Sequence, residues 1–163
     1  MSVLPAMAAA GACVTLGMGA SGRLAQREAL LNTWDGALTR MEGAVTHSGA
    51  GLIDVLKKGA GEDCPVLAEL SRRLAQAPAA DPAALVKDLP WDGLLSPAER
   101  ETLSACLLSL FAPTLTQQAR AIAAAREEWA VFRRQCREKR DRDGKLYASL
   151  GWLGGAAAFI LLV

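Results

Sequence analysis

The sequence of 163 residues is poor in charge at its two ends and poor in metal-binding residues throughout. Residues 1–22 contain no charged side chain, and neither do residues 146–163. The single histidine and the four cysteines, which are 51, 42 and 30 residues apart, form no metal-ligand or redox dithiol pattern. The formal net charge of +1 argues against a nucleic-acid-binding protein.

The motifs of common enzyme classes are also missing. The chain has no Walker lysine loop, no G-x-S-x-G and no H-E-x-x-H. His47 ends a helical pattern, where partial positive charge is favourable, and no acid or cysteine lies at ligand spacing from it. Glu127 and Glu128 diverge by about 100° on a helix, which suits a solvated surface better than an acid–base pair. We therefore predict a protein that is not an enzyme and needs no metal or cofactor.

One glycine pattern is compatible with a nucleotide site. Gly17, Gly19 and Gly22 have the G-x-G-x-x-G spacing of dinucleotide-binding loops, and Glu42 follows 20 residues later. Such a loop requires a strand before it and alternating strands and helices after it. The preceding residues are rich in alanine, which favours a helix, and no strand pattern follows. We prefer a helix and keep a dinucleotide-binding enzyme as the weaker alternative.

Both uncharged ends have the length of a membrane-spanning helix. Pro5 is a suitable first-turn residue for a helix of about 18 residues within 1–22. Residues 146–163 can cross about 27 Å of hydrocarbon as a helix. Each segment carries small residues at helical spacing, on which another helix can pack closely. These residues are Gly11, Thr15 and Gly19 in the first segment, and Gly151 and Gly155 in the second. We predict two spans that contact membrane lipid and pack together or with partner helices.

A basic flank precedes the second hydrophobic segment. Residues 133–145 contain seven basic and three acidic side chains. The basic ones are Arg133, Arg134, Arg137, Lys139, Arg140, Arg142 and Lys145. Basic residues beside a span favour the cytoplasmic side, so we predict cytoplasmic residues 23–145 and two external termini. Cleavage of residues 1–22 as a signal peptide is the alternative, but these residues lack a basic n-region.

The region between the two segments has helical patterns and no strand pattern. Apolar residues repeat at steps of three and four in residues 23–47, and a similar stripe runs from Leu115 to Cys136. Helix starts are predicted at Pro65, at Pro82 and at the capping box of Ser96 and Glu99. The first stripe consists of Leu31, Trp34, Leu38, Met41 and Val45. We predict an all-α fold, with an antiparallel bundle of about six helices between two terminal transmembrane helices.

Three of the four cysteines fall inside this region, which is residues 23–145. Cys64, Cys106 and Cys136 lie at spacings that match no disulfide or zinc motif. We predict that they are reduced, as in a cytoplasmic domain, and act as small apolar packing residues.

The end of the chain carries a family resemblance. The sequence KLYASLGWLGGAAAFILLV resembles the closing signature of the stage III sporulation protein AB family. The residues that match are Lys145, Ser149, Leu150, Gly151, Leu153 and Gly155. The first-helix pattern of that family is similar to residues 38–52, which hold spaced apolar residues and the internal Glu42. The resemblance covers essentially the whole chain.

The resemblance implies a function in spore formation. The helical domain of that family is similar to that of the inner-membrane platform protein of type II secretion systems. The family belongs to the mother-cell part of a channel complex that joins mother cell and forespore. The resemblance implies that this protein is a non-catalytic platform in the outer forespore membrane. Its cytoplasmic bundle would receive a secretion-type ATPase, and its spans would contact other membrane proteins of the complex. A two-span membrane receptor with a helical sensor domain remains the alternative.

Overall fold

The computed structural model describes the backbone of residues 4–162 and the side chains of residues 22–143. This part of the chain forms six helices and no strand. The helices are α1 (Leu4–Ser48), α2 (Leu52–Ala60), α3 (Pro65–Gln76), α4 (Pro82–Lys87), α5 (Pro97–Ser109) and α6 (Leu115–Leu162). The predicted all-α class and the six helices are therefore confirmed for the described residues.

The first and last helices are much longer than the other four. Helix α1 has 45 residues and α6 has 48, and each continues through the point where a membrane segment was predicted to meet the bundle. Across the part of the chain with described side chains, no helix combines the length and the apolar character needed to cross a membrane.

The predicted membrane segments lie outside the described side chains. The same holds for their small residues, which are Gly11, Thr15, Gly19, Gly151 and Gly155. The two transmembrane helices therefore stay a prediction.

Three short helices begin where the sequence predicts. The Ser96 hydroxyl accepts a hydrogen bond from the Glu99 amide, and the Glu99 carboxylate accepts one of 2.7 Å from the Ser96 amide. This reciprocal pair is a capping box, and it satisfies two of the four amides that a helix start leaves unpaired. The Asp81 carboxylate caps α4 in a similar way, and Pro65 opens α3. Local sequence thus decides these boundaries.

The chain divides into two compact units. We call Met1–Glu28 with Arg134–Val163 the terminal unit, and Ala29–Arg133 the bundle unit. In the bundle unit, α2 packs on α3, and α4 contacts both α3 and α5. The two units meet within α1, after Glu28, and within α6, before Arg134. The terminal unit therefore includes more of each helix than the uncharged segments 1–22 and 146–163.

The apolar stripe of α1 forms the centre of the bundle unit. All five of its predicted members are at most 3% exposed. On α6, Ile122 and Trp129 are fully buried, as their stripe predicts. The inclusion of Leu115 in that stripe was wrong, because its side chain is 48% exposed. Leu115 is the first residue of α6. Because helical side chains lean towards the start of their helix, the Leu115 side chain extends beyond the buried part of α6.

Helices α1 and α2 approach each other closely at one glycine. A Cβ atom on Gly59 would lie 2.4 Å from Cγ of Met41, so only glycine fits without a shift. Beside it, the Arg40 guanidinium donates hydrogen bonds to the carbonyls of Gly59 at 2.9 Å and Lys58 at 3.2 Å. These carbonyls end α2 and have no partner within the helix. Arg40 therefore ties the end of α2 to α1, a contact that the sequence did not predict.

Candidate interaction surface

A buried aromatic cluster joins α1 and α6 in the bundle unit. Trp129 is fully buried, and its indole nitrogen donates a hydrogen bond of 2.9 Å to the Leu31 carbonyl. Its ring centroid lies 6.4 Å from that of Trp34, which in turn stacks on Trp91 at 6.0 Å. Trp91 belongs to the segment between α4 and α5, so the cluster also holds that segment against α1.

Two ion pairs run beside this cluster. Asp35 accepts from Arg133 at 2.6 Å, and Glu42 accepts from Arg126. Both acids are on α1 and both arginines are on α6. The later acid, Glu42, pairs with the earlier arginine, Arg126. The two helices are therefore antiparallel here. All four side chains are between 28% and 37% exposed, so the pairs lie at the edge of the apolar contact.

A third pair of the same type occurs in the terminal unit. Glu28 of α1 accepts from Arg140 of α6, and Arg137 lies 4.0 Å from the same carboxylate. Along the sequence, the acids Glu28, Asp35 and Glu42 are seven residues apart, and so are the three arginines. Seven residues are almost two helical turns, so each set recurs on one side of its helix. This spacing is the sequence signal that could have revealed the pairing.

We expect the ion pair between Asp35 and Arg133 to contribute to the free energy of unfolding. The change Arg133→Glu places two carboxylates together and should cost about 1 kcal/mol, since half-exposed pairs have modest energies. Adding Asp35→Arg should restore most of this loss. Chemical denaturation of the detergent-solubilised full chain measures both. As the control, Arg134→Glu changes the neighbouring exposed residue and should have little effect. Equal losses for the two single variants would contradict the pairing.

The basic flank is therefore only partly available to solvent. Arg133, Arg137 and Arg140 face acids of α1, and Arg142 lies 3.8 Å from its neighbour Asp143. Arg134 and Lys139 are exposed, and among the described side chains neither has an acid within 4.0 Å. The side chain of the seventh basic residue, Lys145, lies outside the described part.

Charge is unequally divided between the two units. In the terminal unit, residues 22–28 and 134–143 hold seven basic and four acidic side chains, for a net charge of +3. The bundle unit holds ten basic and thirteen acidic side chains, for a net charge of −3. The nearly neutral total of the chain therefore conceals two regions of opposite sign.

The described residues offer little for catalysis. They contain no group of three side chains able to hold a metal ion. Cys64, Cys106 and Cys136 are buried thiols, as predicted for packing residues. Burial raises the pKa of Cys106 to about 12 and also raises that of Cys64, so both disfavour the nucleophilic thiolate.

The histidine and the glycine motif both lie within α1. His47 is exposed in the last turn of α1, as the sequence predicts. The three glycines of the candidate nucleotide loop all fall within α1 and not between a strand and a helix.

The described residues define a class of protein: an all-α helical protein whose most developed feature is the set of contacts between its helices. The chain belongs to the stage III sporulation protein AB family, because the model of that family matches residues 3–163. No curated protein and no solved structure matches the chain closely enough to add to this assignment. The family membership gives the protein a role in sporulation.

Proposed function

We propose that this protein is a non-catalytic membrane platform of the channel complex between mother cell and forespore. Its residues 1–22 and 146–163 would span the outer forespore membrane, and its bundle would lie in the mother-cell cytoplasm. There the bundle would receive a secretion-type ATPase, while the spans meet other membrane proteins of the complex. The observation that carries the proposal is the match of the family model to residues 3–163.

The described residues support the proposal in two ways. Helices α1 and α6 form an antiparallel pair by way of Asp35, Glu42 and their arginine partners, so the points where the chain enters and leaves the bundle unit lie at the same end of that unit. The net positive charge of residues 22–28 and 134–143 suits the cytoplasmic face of a membrane. Family membership favours this platform over a two-span receptor.

Two glycines of the second predicted span provide the test. Gly151 and Gly155 are about one turn apart, so leucine at both positions blocks close approach by another helix while raising hydrophobicity. We expect the double variant Gly151→Leu with Gly155→Leu to remain in carbonate-washed membranes. Its co-purification with membrane partners and the ATPase should fall several-fold, and spore formation should fall with it, since each such contact is worth about 1 kcal/mol.

The matched control is Ala157→Leu, which adds a side chain of the same size away from the two glycines on an ideal helix. It should insert, co-purify and support spore formation like the parent. Parental co-purification and spore formation by the glycine double variant would show that the segment is an anchor only. Loss of the parent protein from carbonate-washed membranes would refute the platform itself.

A further inference from the structure

We propose that the exposed basic side chains of the terminal unit bind the phosphate groups of anionic membrane lipids. The proposal rests on the proposed function, because it requires residues 1–22 and 146–163 to be inserted in a membrane. Guanidinium and ammonium groups make charge-assisted hydrogen bonds to phosphate, and basic segments beside a span are attracted to anionic headgroups.

The ion pairs identify which cations are available for such contacts. Glu28 is shared by Arg137 and Arg140, so these arginines are partly neutralised within the unit. Among the described side chains, Arg23, Arg134 and Lys139 have no acid within 4.0 Å, and all three are exposed. Arg142 is 74% exposed, and its 3.8 Å contact with the adjacent Asp143 leaves most of the guanidinium in solvent.

Arg23, Lys139 and Arg142 are the available cations that lie nearest to the predicted spans, since Arg134 is twelve residues before residue 146. Arg23 follows residue 22 directly, and Arg142 and Lys139 precede residue 146 by four and seven residues. Along a helix these separations are about 6 and 10 Å, comparable with the Debye length of about 8 Å at physiological salt. The cations come from both α1 and α6, so a layer of headgroups around the two helices can contact all three.

The charge of the bundle unit favours the same orientation. Its net charge of −3 is repelled by an anionic surface, whereas the described part of the terminal unit, at +3, is attracted. The separation of charge therefore selects the part of the chain that approaches the lipid. It also disfavours a nucleic acid, since the acidic bundle unit repels a phosphate backbone.

The test compares lipid binding by two triple variants of the full chain in mild detergent. Mass spectrometry under non-denaturing conditions counts bound phosphatidylglycerol and phosphatidylcholine molecules with the same acyl chains. The parent should prefer phosphatidylglycerol. The variant Arg23→Gln, Lys139→Gln and Arg142→Gln should lose at least about tenfold in phosphatidylglycerol affinity, since each basic residue near the surface contributes about 1 kcal/mol, and should keep its phosphatidylcholine affinity.

The control removes three exposed cations of the bundle unit, with the changes Lys87→Gln, Arg100→Gln and Arg120→Gln. It alters the net charge equally and should bind both lipids like the parent. Three results would overturn the proposal. The first is an equal loss of phosphatidylglycerol affinity in the control variant. The second is that inorganic phosphate, added at the lipid concentration, abolishes the preference for phosphatidylglycerol, and the third is that the parent binds a DNA duplex better than the lipid at equal phosphate concentration. Carbonate extraction separates the two proposals. If the parent protein stays in the membrane but does not prefer phosphatidylglycerol, the lipid contact is refuted and the platform function is not.

Discussion

Replacing Trp129 with alanine should lower the free energy of unfolding by about 3–5 kcal/mol, the range seen when large buried aromatic residues are truncated. Trp129 is fully buried between α6 and α1, where it contacts the rings of Trp34 and Phe132. The change also removes the only side-chain hydrogen bond to the Leu31 carbonyl that the described residues show. Denaturant unfolding of the detergent-solubilised full chain, followed by circular dichroism, measures the loss.

The control for this prediction lies two residues further along the same helix. Val131 is 49% exposed, so Val131→Ala should change the free energy of unfolding by no more than about 0.5 kcal/mol. The milder change Trp129→Phe keeps a ring but loses the hydrogen-bond donor, and should cost about 1–3 kcal/mol. If Trp129→Ala prevents folding, this variant still measures the contribution. A Trp129→Phe variant as stable as the parent would contradict the role of the indole hydrogen bond.

Replacing Gly59 with alanine should cost about 1–3 kcal/mol, although alanine ordinarily stabilises a helix relative to glycine. The reason is the packing of α2 on α1. The added methyl group would lie 2.4 Å from Cγ and 2.8 Å from Sδ of Met41, which is fully buried and has little room to move. Chemical denaturation of the full chain would show the loss as a lower transition midpoint with an unchanged slope.

A second glycine provides the matched control. Gly43 lies within α1, and a Cβ there would meet nothing within 4 Å apart from the nearby backbone of its own helix, so Gly43→Ala should stabilise the protein by about 0.5–1 kcal/mol. The opposite signs of the two glycine changes separate packing from helix propensity. Combining Gly59→Ala with Met41→Ala should cost less than the two single changes added together, because the second change removes the steric conflict. Additive losses would contradict the close contact.

Much of the local structure could be predicted from the sequence. Ser96, Pro97 and Glu99 carry the complete start signal of α5, since every interaction in a capping box lies within four residues. The steps of three and four from Leu31 to Val45 identify the buried side of α1 for a similar reason: helical periodicity alone puts these residues on one face. The absence of strand patterns and catalytic motifs likewise needs no tertiary information.

The interhelical contacts could not be predicted in this way. The pair of Glu42 and Arg126 joins residues 84 positions apart, and periodicity does not say which face of a distant helix will meet a given residue. The seven-residue spacing of acids and arginines was present in the sequence, but a pairing requires the direction and axial register of α1 against α6.

The sequence by itself therefore determined the all-α class, the helix starts and the family, because these depend on short-range signals and on local motifs. Only the tertiary structure decided which cations of the basic flank are paired and which remain available, as Arg140 and Lys139 illustrate. It also decided that Trp91 stacks on Trp34 and that Gly59 must remain a glycine. The physical reason is that these properties depend on how helices far apart in the sequence pack, which is set by the combined burial of many side chains and not by any local pattern.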